Sequence, residues 1–226
     1  MALKRLLPPL LIFAGLAAGQ LTTDQKISDF QQLSGLFLKG YGPYEWKKQV
    51  VGFDLANTAP WLARIRATKS DLEFFNVMGA YVGSLDDAHS GYQITSNFSA
   101  TLNFGVDIYD GKLLVDSITR GRLPVNEFPF VIGYELVSID GVDANRIIES
   151  RLGPAPRANP RSTQRYAAQF ITFRPQALYA DAAQVPEIST VVFRRFDGKL
   201  ETHRVPWTRA GVPWTGTGKL PTPTGD

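Results

Sequence analysis

The Asp140-Gly141 pair places the strongest constraint on the fold, because it separates a strand-like segment from a helix-like one. In residues 131–139 the side chains alternate between two faces, which is the period of a β-strand. Asp and Gly both tolerate positive φ, so the pair is typical of a tight hairpin turn. After the turn, Asp143 is a good N-cap for a helix over 144–152, whose apolar side chains share one face. The segment therefore predicts a compact unit of strand, turn and capped helix.

Two further Asp-Gly pairs divide the chain in the same way. The pair at 110–111 lies within the alternating residues 102–118, and the pair at 197–198 lies within the alternating residues 190–207. Each pair, with a strand-like run on both sides, predicts an antiparallel hairpin. The second half of the chain is therefore expected to be rich in β-structure.

The first part of the chain has helical periodicity instead. The clearest helix begins after Ser70, with Glu73 three residues later as in a capping box. Another helical segment, 160–173, follows a connector rich in Gly and Pro. Helices grouped before residue 100 and hairpins grouped after it predict an α+β fold.

The first 19 residues have the pattern of a secretory signal peptide. Lys4 and Arg5 precede an apolar run at 6–18, and small residues follow at its end. The run is shorter than the roughly 20 residues that cross a bilayer, so we expect no stable membrane span. We expect an exported protein, periplasmic or secreted, that begins near Gln20 after cleavage; an uncleaved anchor is the alternative.

Composition and motifs exclude several classes of function. A net charge of +3, without a basic run interleaved with aromatic residues, gives no support for nucleic-acid binding. The chain has no cysteine, so neither disulfides nor a zinc–thiolate site can form. It has no P-loop, dinucleotide fingerprint, HExxH or Gly-x-Ser-x-Gly motif. We therefore expect no cofactor.

The polar loop at residues 84–92 is the first candidate site, and its sequence is SLDDAHSGY. It contains Asp86, Asp87 and His89, and a histidine beside a carboxylate is how a general base is oriented. A metal site would need more ligands than these three residues supply. The alternative is a turn that ends the preceding helix, with a histidine that is solvated or bonded to a neighbouring aspartate.

The second candidate site is the entry into the first predicted strand. Its sequence, LNFGV, has a glycine that lets backbone N–H groups converge on a carboxylate, and the strand offers an edge to an added peptide. The candidate substrate-binding residues are Leu102, Asn103, Phe104, Gly105 and Val106. The alternative is an ordinary sheet edge without a ligand.

Three stretches together resemble the C-terminal processing, or tail-specific, serine peptidases, in the branch related to the tricorn core. They are the helix and loop at 74–92, LNFGVDI at 102–108, and IGYELVSIDGVDA at 132–144. Tyr134 stands where the family's signature usually has Asp. The resemblance covers about residues 30–207 and implies an N-terminal helical region followed by a PDZ-like domain with flanking helices.

The residue patterns and the resemblance together divide the chain into five segments. These are a signal peptide at 1–19, a helical N-terminal domain at 20–100, a PDZ-like domain at 101–153, a helix and hairpin leading towards the peptidase core at 154–207, and a flexible tail at 208–226.

The resemblance also implies an exported serine endopeptidase that recognises a peptide or protein substrate through its C-terminus. In tricorn-like branches the base is a histidine at the position that His89 matches. In this chain the candidate orienting groups are Asp86 and Asp87. In other branches the base is a lysine in the C-terminal core. The family's catalytic serine lies downstream of the PDZ-like domain, so we expect this polypeptide alone to be inactive. The alternative is a stand-alone PDZ-like binding or scaffold protein without enzymatic activity.

Overall fold

The structure, a computed structural model, describes residues 20–154 and 159–215, and this part of the chain is α+β. Helices come first: α1 Thr23–Gly40, α2 Tyr44–Val51, α3 Ala59–Arg66 and α4 Asp71–Gly83. The elements that follow are β1 Ser99–Thr101, β2 Phe104–Tyr109, β3 Lys112–Ile118, β4 Glu135–Ile139, β5 Val142–Asp143, α5 Ala144–Arg151, α6 Pro160–Gln169, β6 Phe173–Pro175, a 3₁₀ helix Ala180–Gln184, β7 Ile188–Arg194, β8 Leu200–Pro206 and β9 Thr208–Ala210. The predicted fold class, with helices before the β-rich part, is confirmed.

The four N-terminal helices enclose a core of their own. Its fully buried side chains include Phe30, Leu55, Ile65, Phe74, Tyr81 and Leu85. The predicted cap of α4 is present, since the Ser70 hydroxyl accepts a hydrogen bond from the Glu73 N–H at 3.1 Å. In a capping box the Glu73 carboxylate would accept from the N–H of the cap residue, Ser70. Here it accepts instead from the N–H of the preceding residue, Lys69. None of the helices within 20–154 and 159–215 combines the length and hydropathy that a membrane span requires.

An antiparallel sheet carries the β-rich part. Its strand order is β2-β3-β4-β7-β8, with β5 paired to β4, so β2 is an edge strand. The three predicted hairpins are confirmed. Two of their turns have positive φ at both central residues, 47° and 76° at Asp110-Gly111 and 50° and 77° at Asp140-Gly141. A second sheet has the order β6-β1-β9.

The Asp140 turn is also bonded to the neighbouring strand β7. Its carboxylate accepts the Ser189 hydroxyl and the Thr190 N–H, each at 2.7 Å. The buried Ser189 hydroxyl in turn accepts from the indole N–H of Trp207 at 2.7 Å. The turn is therefore held by β7 and by the segment after β8 as well as by its own geometry.

The structure differs from the sequence-based expectations at one segment boundary and at the end of one helix. Strand β7 pairs with β4, and Val191 and Phe193 are buried in one core with Leu136, so the sheet continues past residue 153. The helix expected over 160–173 ends at Gln169, and β6 follows. Burial of the β7–β8 hairpin against β4 makes it part of the same unit.

The expected flexible tail begins with ordered structure. Thr208–Ala210 forms β9 against β1. The backbone of Trp214 exchanges two hydrogen bonds of 2.7 Å with the side-chain amide of Gln176, and its ring lies edge-on to Phe75 of α4. These contacts join residues 208–214 to the rest of the fold. Residues 216–226, like the expected signal peptide at 1–19, lie outside the described residues.

Candidate functional site

The edge strand β2 and helix α6 form the two walls of a groove. A cavity of about 400 Å³ lies between them, lined by Ile108, Gly111, Arg161, Gln164 and Arg165. Asn159 caps α6 by accepting from two backbone N–H groups, and the buried Ala167 and Ala168 let the helix pack closely on the core. An edge strand beside a helix is an arrangement to which an extended peptide can add as a further strand.

The five residues predicted to bind a peptide lie in the turn before β2 and in its first half. The side chains of Leu102, Phe104 and Val106 are buried in the core. Asn103 has a positive φ of 61°, and its side-chain amide donates to the Thr208 hydroxyl at 2.8 Å. These side chains hold the strand in place, and a ligand would have to be bound by the backbone of the strand.

Two of the amides predicted to converge on a carboxylate have acceptors within the protein. The N–H of Leu102 donates to the carbonyl of Thr172 at 2.8 Å, and the N–H of Asn103 donates to the Thr101 hydroxyl at 3.0 Å. Gly105 has a packing role, because a Cβ there would lie 2.3 Å from a serine hydroxyl on β3. The turn is therefore shaped by its contacts to β1, to β3 and to Thr172 before β6.

A charged pair joins the two walls of the groove. Arg165 Nε lies 2.8 and 2.7 Å from the two carboxylate oxygens of Asp107, and its Nη2 lies 2.5 Å from Oδ2. Asp107 Oδ1 also accepts the backbone N–H of Ile108 at 2.7 Å. The hydrogen bonds from Arg165 hold the pKa of the Asp107 carboxyl below its usual value, although partial burial opposes the shift.

Sequence reasoning missed Asp107 and Arg165. The spacing of Arg161 and Arg165, four residues apart in a predicted helix, could have indicated a basic face. Nothing in the sequence could have indicated the partner of that face, because Asp107 lies 58 residues earlier. The pairing is a product of the tertiary fold.

The loop with the first candidate site, at residues 84–92, lies between α4 and β1. His89 is 95% exposed, and its Nδ1 lies 3.4 Å from Asp87 Oδ1. Asp87 also accepts the N–H of His89 at 2.9 Å and the Tyr41 hydroxyl at 2.9 Å. Asp86 has a positive φ of 48°, and its carbonyl accepts from the Lys47 ammonium at 2.6 Å. Of the two aspartates, Asp87 is therefore the one that contacts the histidine.

The electrostatics of this loop follow from the same contacts. The backbone N–H of His89 is the main cause that lowers the pKa of Asp87, with the Tyr41 hydroxyl adding to it. Burial and the Asp87 carboxylate raise the pKa of Tyr41 to about 12, so its hydroxyl remains a donor at neutral pH. Among the described residues, no group of three or more acidic or histidine side chains is placed to hold a metal ion.

Comparison with known proteins identifies the β-rich part. The model of the PDZ domain family matches residues 98–213. A protein of Chlamydia pneumoniae is 27% identical over 206 residues, which cover 87% of this chain and 31% of the relative. An uncharacterized protein of Chlamydia muridarum is 25% identical over 219 residues, which cover 92% of this chain and 35% of the relative. The chain thus spans about a third of the length of these relatives.

Solved structures share the fold of most of this chain. Mature CPAF, alone and in a complex with lactacystin, matches with a TM-score of 0.70 and 23% sequence identity. The match covers 83% of this chain and 35% of CPAF, a C-terminal processing serine protease. The resemblance to such proteases that the three sequence stretches indicated is therefore supported at the level of the fold.

Proposed function

The chain belongs to the PDZ domain family, and from this premise we propose that it recognises a peptide or protein segment as the N-terminal part of an exported serine endopeptidase. The observation that carries the proposal is the open edge of β2 beside α6, with a cavity between the two elements. Backbone groups along such an edge bind an extended peptide, and the helix supplies contacts to its side chains. The signal-like pattern at 1–19 supports export.

Two variants of α6 test where the peptide binds. Gln164 lines the cavity, whereas Gln169 is exposed on the same helix and does not line it. With fluorescein-labelled random decapeptides as the probe, we expect Gln164→Trp to lower affinity by roughly tenfold, because the indole fills the groove. Gln169→Trp, the matched control, should bind as the unaltered chain does. Equal binding by all three proteins would contradict the proposed groove.

The same titration tests whether the carboxyl terminus of the ligand is read. We propose recognition through the C-terminus, so peptides with a free terminus should bind more tightly than amidated ones. The intramolecular bonds of Leu102 and Asn103 leave this task to amides further along β2. Indifference to amidation would favour binding of internal segments and would overturn the C-terminal part of the proposal.

We also propose that His89 is the catalytic base in the complete enzyme, and the contact between its Nδ1 and Asp87 favours this role. The test is alanine in place of the matching histidine in a full-length relative, with turnover measured across pH. Undiminished turnover would remove His89 from the mechanism and favour the alternative of a lysine base in the core. Failure of this test would leave the binding proposal intact.

The alternative function is that of a stand-alone PDZ-like binding or scaffold protein. Tight peptide binding, together with a full-length relative that is inactive whatever residue stands at the histidine position, would favour it. The loop geometry at Asp87 and Tyr41, which holds a carboxylate against an exposed histidine, favours the enzyme instead.

A further inference from the structure

The backbone of β2 presents one particular amide to the open edge. Tyr109 and Lys112 pair directly across the two-residue turn. In such a hairpin the residues next to the turn form a hydrogen-bonded pair, and every second pair after it does the same. Asp107, opposite Leu114, therefore turns its backbone towards β3, and the N–H of Ile108 points to the open edge.

That amide is already occupied by a side chain of the same strand. Asp107 Oδ1 accepts the Ile108 N–H at 2.7 Å, which is the bond that a carbonyl of an added strand would make. The Asp107 side chain is only 9% exposed, and its partner Arg165 lines the cavity. A peptide cannot pair with β2 at this point until the carboxylate moves.

The opposite wall holds the carboxylate in place. Arg165 binds both oxygens of Asp107, and Arg161, one helical turn earlier, lines the same cavity. The Arg165 side chain is 59% exposed, so the face of α6 towards the groove carries a guanidinium that solvent and ligands can reach. Among the acids near this pair, Asp116 on β3 acts on Arg165 only through its charge.

We propose that Asp107 is an intramolecular stand-in for the ligand, and that the groove opens to peptides with an acidic side chain. This inference rests on the proposed function. An acidic side chain of the ligand takes the place of Asp107 on Arg165, while a carbonyl of its backbone takes the Ile108 N–H. On Arg165, the carboxylate of the ligand replaces that of Asp107. On the Ile108 N–H, a backbone carbonyl of the ligand replaces Asp107 Oδ1. A neutral peptide breaks the charged pair without replacing it, so it binds more weakly.

The experiment uses two fluorescein-labelled decapeptides, one alternating valine with glutamate and one alternating valine with glutamine. The unaltered chain should bind the acidic probe roughly fivefold more tightly, the advantage that one partly exposed ion pair supplies. Asp107→Ala should bind the neutral probe more tightly than the unaltered chain does, again by roughly fivefold. Arg165→Gln should bind the two probes equally.

Three controls keep the result specific. Asp116→Ala removes a carboxylate that acts on Arg165 through its charge but leaves Asp107 and its bond to the Ile108 N–H in place, and should leave the affinity ratio of the two probes unchanged. Asp107→Asn keeps an acceptor for the Ile108 N–H and should give an intermediate affinity, which also covers a failure of the alanine variant to fold. Amide hydrogen exchange should show that Ile108 loses protection in Asp107→Ala.

The outcomes separate this inference from the proposal on which it rests. If the probes bind, but both Asp107 variants bind them with the affinity of the unaltered chain, the proposal that Asp107 occupies the place of the ligand is overturned. Peptide recognition at the groove would still stand. If neither probe binds to any of the proteins, both the proposal of peptide recognition at this groove and the proposed role of Asp107 are overturned.

Discussion

Gly83, the last residue of α4, makes the sharpest test of how the helical part meets the β-rich part. A Cβ at this position would lie 1.8 Å from the carbonyl oxygen of Gly153, which follows α5. Ordinary carbon–oxygen contacts begin at about 3.3 Å, so the backbones would have to separate by roughly 1.5 Å. The obstacle is main chain and cannot rotate away. We expect Gly83→Ala to lower the free energy of unfolding by about 1–3 kcal/mol, the usual cost of overpacking.

Gly79 in the same helix provides the matched control. A Cβ there would meet nothing within 4 Å. Alanine is favoured over glycine in a helix interior by about 0.5–1 kcal/mol, so Gly79→Ala should stabilise the protein. Urea denaturation, followed by circular dichroism, measures both variants against the unaltered chain. A Gly83→Ala variant as stable as Gly79→Ala would refute the close approach of α4 to Gly153.

Three further predictions follow from single contacts. Asp140 and Asp110 occupy equivalent turn positions, but only the Asp140 carboxylate has β7 partners, so Asp140→Ala should cost about 1–3 kcal/mol more than Asp110→Ala in urea denaturation. Because Arg165 lowers the folded-state pKa of Asp107, NMR should show this carboxyl titrating below 3.8, and a titration above 3.8 would contradict the pairing. The stability that the Asp107 carboxylate contributes is present above its unfolded-state pKa of about 3.9 and is lost as pH falls through its folded-state pKa. Gly211 has a φ of 77°, and a Cβ at this position would lie 2.3 Å from the backbone carbonyl oxygen of Asn97. The thermal midpoint of Gly211→Ala should therefore fall by several degrees, and an unchanged midpoint would contradict the close approach of Gly211 to Asn97.

Local signals made the hairpins and caps predictable from the sequence. The turns at Asp110 and Asp140 depend on two adjacent residues that tolerate positive φ, and the caps at Ser70 and Asp143 depend on a side chain within three positions of its donor. Such features need no knowledge of distant residues. The α+β class follows from them, because it depends only on where helical and alternating patterns occur.

The groove was predictable only in part. The strand that forms its edge was identified from the alternation and the glycine after Phe104. The charged pair that closes it was not, because Arg165 and Asp107 meet only after α6 has packed beside β2. The same limit explains the boundary at residue 153, since the burial of Phe193 against Leu136 is a tertiary contact that no window of sequence contains.

The pairing of β4 with β7 sets an order of folding during synthesis. The contacts that tie Asp140 to Ser189 and Thr190 span 49 and 50 residues, so the chain must close a long loop before they form. The β2–β3 hairpin closes over two residues, and the core of the four N-terminal helices is built from residues up to Tyr92. During synthesis, the helical part can therefore complete its core before β7 has left the ribosome. Until then, the edge of β4 that pairs with β7 remains unpaired.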